Sequence, residues 1–150
     1  DRHIEDDLLP TARELGVGIV AFGVLLSGLI GGSSQEEKLK SIGQRISPEA
    51  LATMKANLAR TDALKQIAVE KGATLAQLAI AWVLAQGEDI IALVGSRTAS
   101  QIKDTIQALN VKLTKEDLDR IKRIMPKEEA TCSYMLDVDI DSKGLFHAKQ

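Results

Sequence analysis

The run Ile90, Ile91, Ala92, Leu93, Val94 limits what this chain can fold into more than any other stretch, because it is apolar without a break. A strand with one wet face alternates apolar and polar residues, so a continuous run predicts a parallel strand covered on both faces. Val17, Gly18, Ile19, Val20, Ala21 and Phe22 make a second strand of the same kind. Each is followed by helical sequence, and two such strands are too few to hide the edges of a sheet. The expectation is an α/β chain that forms a portion of a larger layer, most economically a (β/α)8 TIM barrel, incomplete as given.

The turn after the Ile90 run carries the chemistry. Gly95 ends the strand, Ser96 and Arg97 come next, and Thr98 with Gln101 three residues on has the spacing of a capping box at a helix start. A helix start presents unpaired N–H groups and a partial positive charge, so a hydroxyl and a guanidinium placed there suit a phosphate. The same residues also read as a plain turn, with Ser96 and Arg97 solvated and Thr98 no more than a cap.

Toward the amino end, Ile4, Leu8, Leu9, Ala12 and Leu15 recur near helical spacing, and Pro10 either kinks that helix or starts a second one before Gly16 closes it. From Gly23 to about Thr61 runs a long connection whose glycines at 23, 28, 31 and 32 allow close approach of a ligand, with Ser27 offering a hydroxyl. The alternative reading is a flexible surface excursion with a short helix near Pro48–Leu58. Thr61 and Asp62 are expected to open a helix that ends at Lys71, before Gly72. Thr74 and Gln77 form a second capping box, and Leu75 to Ala85 is apolar all round, which predicts a helix buried on more than one side with Trp82 in the core. Thr114 caps a last amphipathic helix to Ile124, and from Pro126 onward no period is sustained, so residues 126–150 are expected to be an irregular tail.

Composition excludes several classes. A net charge of −2 and a pI near 5.7 give no broad basic surface, so nucleic acid is not an expected partner. One cysteine, Cys132, allows no internal disulfide and no multi-cysteine metal site, and fits a reducing cytoplasm. The acidic DVDID segment lacks the glycine-centred loop of an EF-hand, so no metal is expected there. Leu75–Ala85 is the longest apolar stretch and falls short of the roughly 20 residues a membrane helix needs. No signal peptide opens the chain, and a soluble cytoplasmic protein is the expectation. A start at Asp1, with helical sequence almost at once, suggests numbering that opens partway through a larger natural chain.

Three stretches together resemble one family: LLPTARELGVGIVAFGVLLSG, ATLAQLAIAWVLAQ and IIALVGSRTASQIKDTIQALNVKLTKEDLDRI. They are similar to the carboxyl-terminal portion of the aldo-keto reductases, nicotinamide-dependent β/α barrels, from the helix before the seventh strand to the helix after the eighth β/α unit. The resemblance implies that residues 1–125 belong to that barrel and that the cofactor is NADP. It places Phe22 where the family has a tyrosine stacked on the nicotinamide, and Gly23, Leu25 and Ser27 in the loop that holds the pyrophosphate. Val24 replaces the usual proline there. Ser96 and Arg97, following Gly95, match positions at the adenosine 2′-phosphate, Gln101 a residue at the same end, and Asp104 and Thr105 an acid and an asparagine at the adenine.

The family's catalytic aspartate, tyrosine, lysine and histidine come from early strands that are not in this sequence, so no catalytic residue is assigned. His3, Tyr134 and His147 match none of those positions. The resemblance implies NADPH-dependent reduction of small carbonyl substrates by hydride transfer, this chain supplying mainly the cofactor grip. The missing part of the barrel would come from the same or another chain, with a homo-oligomer as one form. Two alternatives stand beside it: a regulatory or binding subunit of the potassium-channel β type, which keeps the nucleotide site, and an inactive truncated fragment.

Overall fold

The computed structural model describes residues 2–26, 29–31, 35–44, 46–128, 138–140 and 146–148. Two short strands, β1 (Ile19–Ala21) and β2 (Ile90–Ala92), pair in parallel with Ile19 opposite Ile90 and Ala21 opposite Ala92. Both are shorter than the apolar runs that announce them, and among the described residues each has a hydrogen-bonded strand on one side only. The ladder continues one step past β2, where the Leu93 N–H donates to the Ala21 carbonyl at 2.8 Å.

Alternation along the strands gives the sheet two unlike faces. Ile19, Ala21, Ile90 and Ala92 share the face on which helix α4 (Leu75–Leu84) packs, and Ile90 is buried. On the other face Val20 is 56% and Ile91 63% exposed, and Phe22 and Leu93, next in alternation, are 64% and 59% exposed. The unbroken apolar runs predict cover on both faces, and the exposure of these four residues corrects that expectation. Among the described residues this chain contributes a helical layer to one face and nothing to the other.

At the amino end a 3₁₀ turn, His3–Glu5, precedes α1 (Leu8–Glu14). Pro10 lies in the first turn of α1, where its missing N–H costs no helical bond, so it starts a helix rather than kinking one. Arg13 then reaches across to the turn before β2: its Nε and Nη2 donate to both carboxylate oxygens of Asp89 at 2.9 and 3.1 Å, and Nη2 also to the Gln86 carbonyl at 2.7 Å.

Between the strands lie α2 (Gln35–Gly43), α3 (Pro48–Glu70) and α4. The helix start expected at Thr61 and Asp62 does not exist, since α3 runs unbroken for 23 residues from a Ser47 cap with Pro48 at its first position. Thr61 is buried inside it, and its Oγ1 donates back to the Leu58 carbonyl at 2.6 Å, so the hydroxyl that would have capped a new helix is used within the old one. The long connection expected from Gly23 to about Thr61 is therefore largely helical. Gly72, in the left-handed region at φ +62°, ends α3, and α4 leaves at 85° to it. The Thr74–Gln77 capping box is formed with both arms.

After β2 come α5 (Ala99–Ile106), a 3₁₀ turn Gln107–Asn110, and α6 (Lys115–Ile124), the last capped reciprocally by Thr114 and Asp117. The core lies among the helices rather than in the sheet: Ile67 and Ala68 of α3, Leu75 and Leu78 of α4 and Ile121 of α6 bury one another, with Leu64, Leu113 and Trp82 packed against them. The Arg2 guanidinium stands 5.5 Å from the centre of the Trp82 ring and also donates to the Met125 carbonyl at 2.8 Å, joining the amino end to the end of α6.

The segment expected to be an irregular tail carries a small antiparallel pair, β3 (Val138–Ile140) with β4 (Phe146–Ala148), Asp139 opposite His147. Strands of three residues are too short to display a period, which is why the pattern there reads as irregular. Cys132 and Tyr134 fall outside the described residues.

Candidate functional site: two loops at the carboxyl ends of a parallel pair

Parallel pairing in register sends the segments after β1 and β2 out of the same end of the sheet. In α/β layers that end is where ligands bind, because loops from neighbouring strands converge there. Phe22, Gly23 and Leu25 leave from β1, and Gly95, Ser96, Arg97 and Gln101 from β2. Ser27 lies outside the described residues.

The β1 loop is tightly turned. Gly23 has φ +71°, and Leu26 adopts φ +48°, a left-handed conformation that a bulky residue rarely takes. Hydrogen bonds hold it: the Leu26 N–H donates to the Gly23 carbonyl at 2.8 Å, the Leu29 N–H to the Leu26 carbonyl at 3.1 Å, and the Ile30 N–H to the Leu25 carbonyl at 3.2 Å. Leu29, fully buried, anchors the far side. These bonds use the N–H groups of Leu26, Leu29 and Ile30 within the loop itself, so any grip on a ligand there falls to the backbone nearer Gly23. The Phe22 ring, at the root of the loop, lies open on the uncovered face of the sheet.

The β2 loop is more open. A Cβ added at Gly95 would meet nothing within 4 Å among the described residues, so none of them closes the space above it. Thr98 caps α5, accepting from the Gln101 N–H at 3.2 Å. The reciprocal arm departs from the usual box: the Gln101 side-chain oxygen accepts from the N–H of Arg97 at 2.7 Å, one residue further out. That bond fixes the backbone at Arg97, whose exposed guanidinium has no ion-pair partner among the described residues. Ser96 beside it is half-buried.

Asp104 and Thr105 lie further along α5. Asp104 is exposed but tied: its Oδ1 and its carbonyl accept from Nε2 of Gln77 at 2.7 and 3.0 Å. In the sequence Gln77 shows only as the second arm of a cap, with no place in a site. The two stand 27 positions apart, and nothing periodic in the sequence signals that they meet. Two apolar depressions, of about 520 and 300 Å³, lie elsewhere: along α1 and β1 at Leu8, Ala12, Leu15 and Ile19, and beside α4 at Ala81, Leu84, Ala108 and Leu113. The described candidate residues line neither.

Comparison with known proteins bears on this arrangement. Residues 1–126 match the family model described as "Aldo/keto reductase family". The chain is similar to "Probable aldo-keto reductase 1" of Glycine max, with 37% identity over 130 residues, covering 83% of this chain and 37% of that protein. It is likewise similar to "Uncharacterized oxidoreductase YrpG" of Bacillus subtilis (strain 168), with 37% identity over 127 residues, 84% of this chain and 37% of the relative. The chain thus spans a little over a third of the length of these curated relatives. With a family match that extends over β1, β2, the loops after them and helices α1 to α6, the chain belongs to the aldo/keto reductase family.

Proposed function

We propose that these residues form the nucleotide-binding part of an NADPH-dependent oxidoreductase that reduces small carbonyl compounds to alcohols. The observation that carries this reading is the turn after β2: an exposed guanidinium without an ion-pair partner among the described residues, on a backbone fixed by the Arg97 to Gln101 bond, next to the start of α5. Arg97 and Ser96 would hold the 2′-phosphate. Backbone N–H groups around Gly23 and Leu25, with Ser27, would hold the pyrophosphate. Phe22 would stack on the nicotinamide without the hydroxyl of a tyrosine. Gln101, Asp104 and Thr105 would meet the adenine end.

When bound, the cofactor supplies a hydride; the residues of this chain bind and orient it, and none of them is assigned as a proton donor. The uncovered sheet face and the coverage of a little over a third of each relative support a (β/α)8 barrel in which other strands, from the same or another chain, complete the ring. In the full-length natural protein, Arg97→Ala is expected to weaken NADPH binding about 10- to 100-fold, the loss of one charge-assisted phosphate contact. Unchanged affinity overturns the assignment. NADPH binding without any carbonyl-dependent oxidation would move the protein to the class of binding subunits.

A further inference from the structure

Helix α5 carries the adenine-end contacts of the proposed site, yet none of its residues is buried, and its apolar Ile102 and Ile106 are exposed. A helix of this length is marginal by itself, so its orientation must come from ties to the body of the chain. At its carboxyl end the following 3₁₀ turn inserts Ala108, 2% exposed. Nearer the loop the tie is polar, and it comes from Gln77.

Gln77 is 7% exposed and sits in the first turn of the buried helix α4. Its Oε1 accepts from the Thr74 N–H at 3.0 Å, and its Nε2 donates to the Asp104 carbonyl at 3.0 Å and to Asp104 Oδ1 at 2.7 Å. Both ends of one buried amide are thus engaged, one within α4 and one on α5. Asp104 itself is exposed, and its Oδ2 accepts no hydrogen bond among the described residues. The carboxylate is therefore pinned at one oxygen and presents the other.

We infer that Gln77 is a positioning residue for nucleotide binding: from within α4 it sets the direction of α5 and of the Asp104 carboxylate, and so the alignment of the adenine-end contacts with the phosphate turn. The inference rests on the proposed reading of α5 as a nucleotide-facing helix.

Gln77→Glu separates this role from capping. A glutamate still accepts from the Thr74 N–H, so the cap survives, but it offers no donor and brings a second carboxylate against Asp104. In the full-length natural protein, titrated with NADPH by fluorescence, this variant is expected to bind about tenfold more weakly. Adding Asp104→Asn supplies a donor from the other side, and the double variant is expected to bind about threefold more tightly than Gln77→Glu alone. Asp104→Asn alone keeps an acceptor for Gln77 and should bind more tightly than Asp104→Ala, a comparison that stands even if Gln77→Glu does not fold.

Wild-type affinity in Gln77→Glu, no recovery in the double variant, or equal affinity of the two Asp104 variants overturns the inference. If Arg97→Ala nevertheless weakens binding, the nucleotide site stands without Gln77. A wild-type protein that binds no NADPH removes both.

Discussion

Two glycines show how differently one missing side chain acts on this structure. Gly31 has φ +76°, and a Cβ there would stand 3.0 Å from the Ala76 Cβ and 3.3 Å from the Ala76 nitrogen. Neither neighbour can yield, since one is backbone and the other a Cβ of α4. Gly31→Ala is expected to destabilise the full-length protein by about 1 to 3 kcal/mol, through backbone strain and the forced contact together. At Gly87 the Cβ would collide with Asp89 Oδ1 and Arg13 Nη2, both ends of flexible side chains. Gly87→Ala should break that ion pair and lower the urea midpoint by less than Gly31→Ala does. The reverse order would show that the loop around Gly31 is not seated on α4. The sequence reads Gly31 as room for a ligand to approach, whereas in the fold α4 arrives there and Ala76 takes up that space.

Among the elements, α6 illustrates a cap that also anchors. Asp117 is buried; its burial opposes ionisation, yet the Lys71 ammonium at 2.5 Å and the Thr114 N–H and hydroxyl together outweigh that and hold its carboxyl down at about 2. A second pair beside it, Arg120 to Glu70 at 2.6 and 2.9 Å, joins the same two helices, α6 and the end of α3. A carboxyl whose folded pKa lies below its unfolded value stabilises the fold above the unfolded value and loses that contribution as pH falls to the folded one. Asp117→Asn is therefore expected to cost about 1.5 to 3 kcal/mol at neutral pH, as for lost hydrogen bonds to a charged group. The gap to wild type should narrow as pH falls from about 4 toward 2. Denaturant titrations at neutral and at low pH measure it, and a gap independent of pH would mean that Lys71 is not the partner. The Thr114 cap is legible in the sequence as a local spacing. Its counterpart at Thr61 is misleading for the same reason: a hydroxyl followed by an acid reads as a cap, and only the contacts of the finished helix show that the hydroxyl turns back to Leu58.

For the whole molecule the unlike faces of the sheet are decisive. Val20, Phe22, Ile91 and Leu93 leave an apolar surface on a two-stranded sheet whose outer edges have no strand partner among the described residues. The polypeptide of residues 1–150 by itself is therefore expected to self-associate, with a mass by light scattering that rises with concentration. A monodisperse, cooperatively melting monomer would contradict this. By itself the sequence determined what is local: the parallel character of β1 and β2 from their unbroken apolar runs, the Thr74, Thr98 and Thr114 helix starts, and the turn carrying Ser96 and Arg97. It also carried the family resemblance, because the motifs behind it are contiguous. Tertiary structure alone decided that α3 is one helix, that no described residue covers one face of the sheet, that Gln101 turns back to Arg97, and that Gln77 holds Asp104. The reason is physical: capping and periodicity act over a few residues, whereas burial and long-range hydrogen bonds depend on which distant segment arrives alongside.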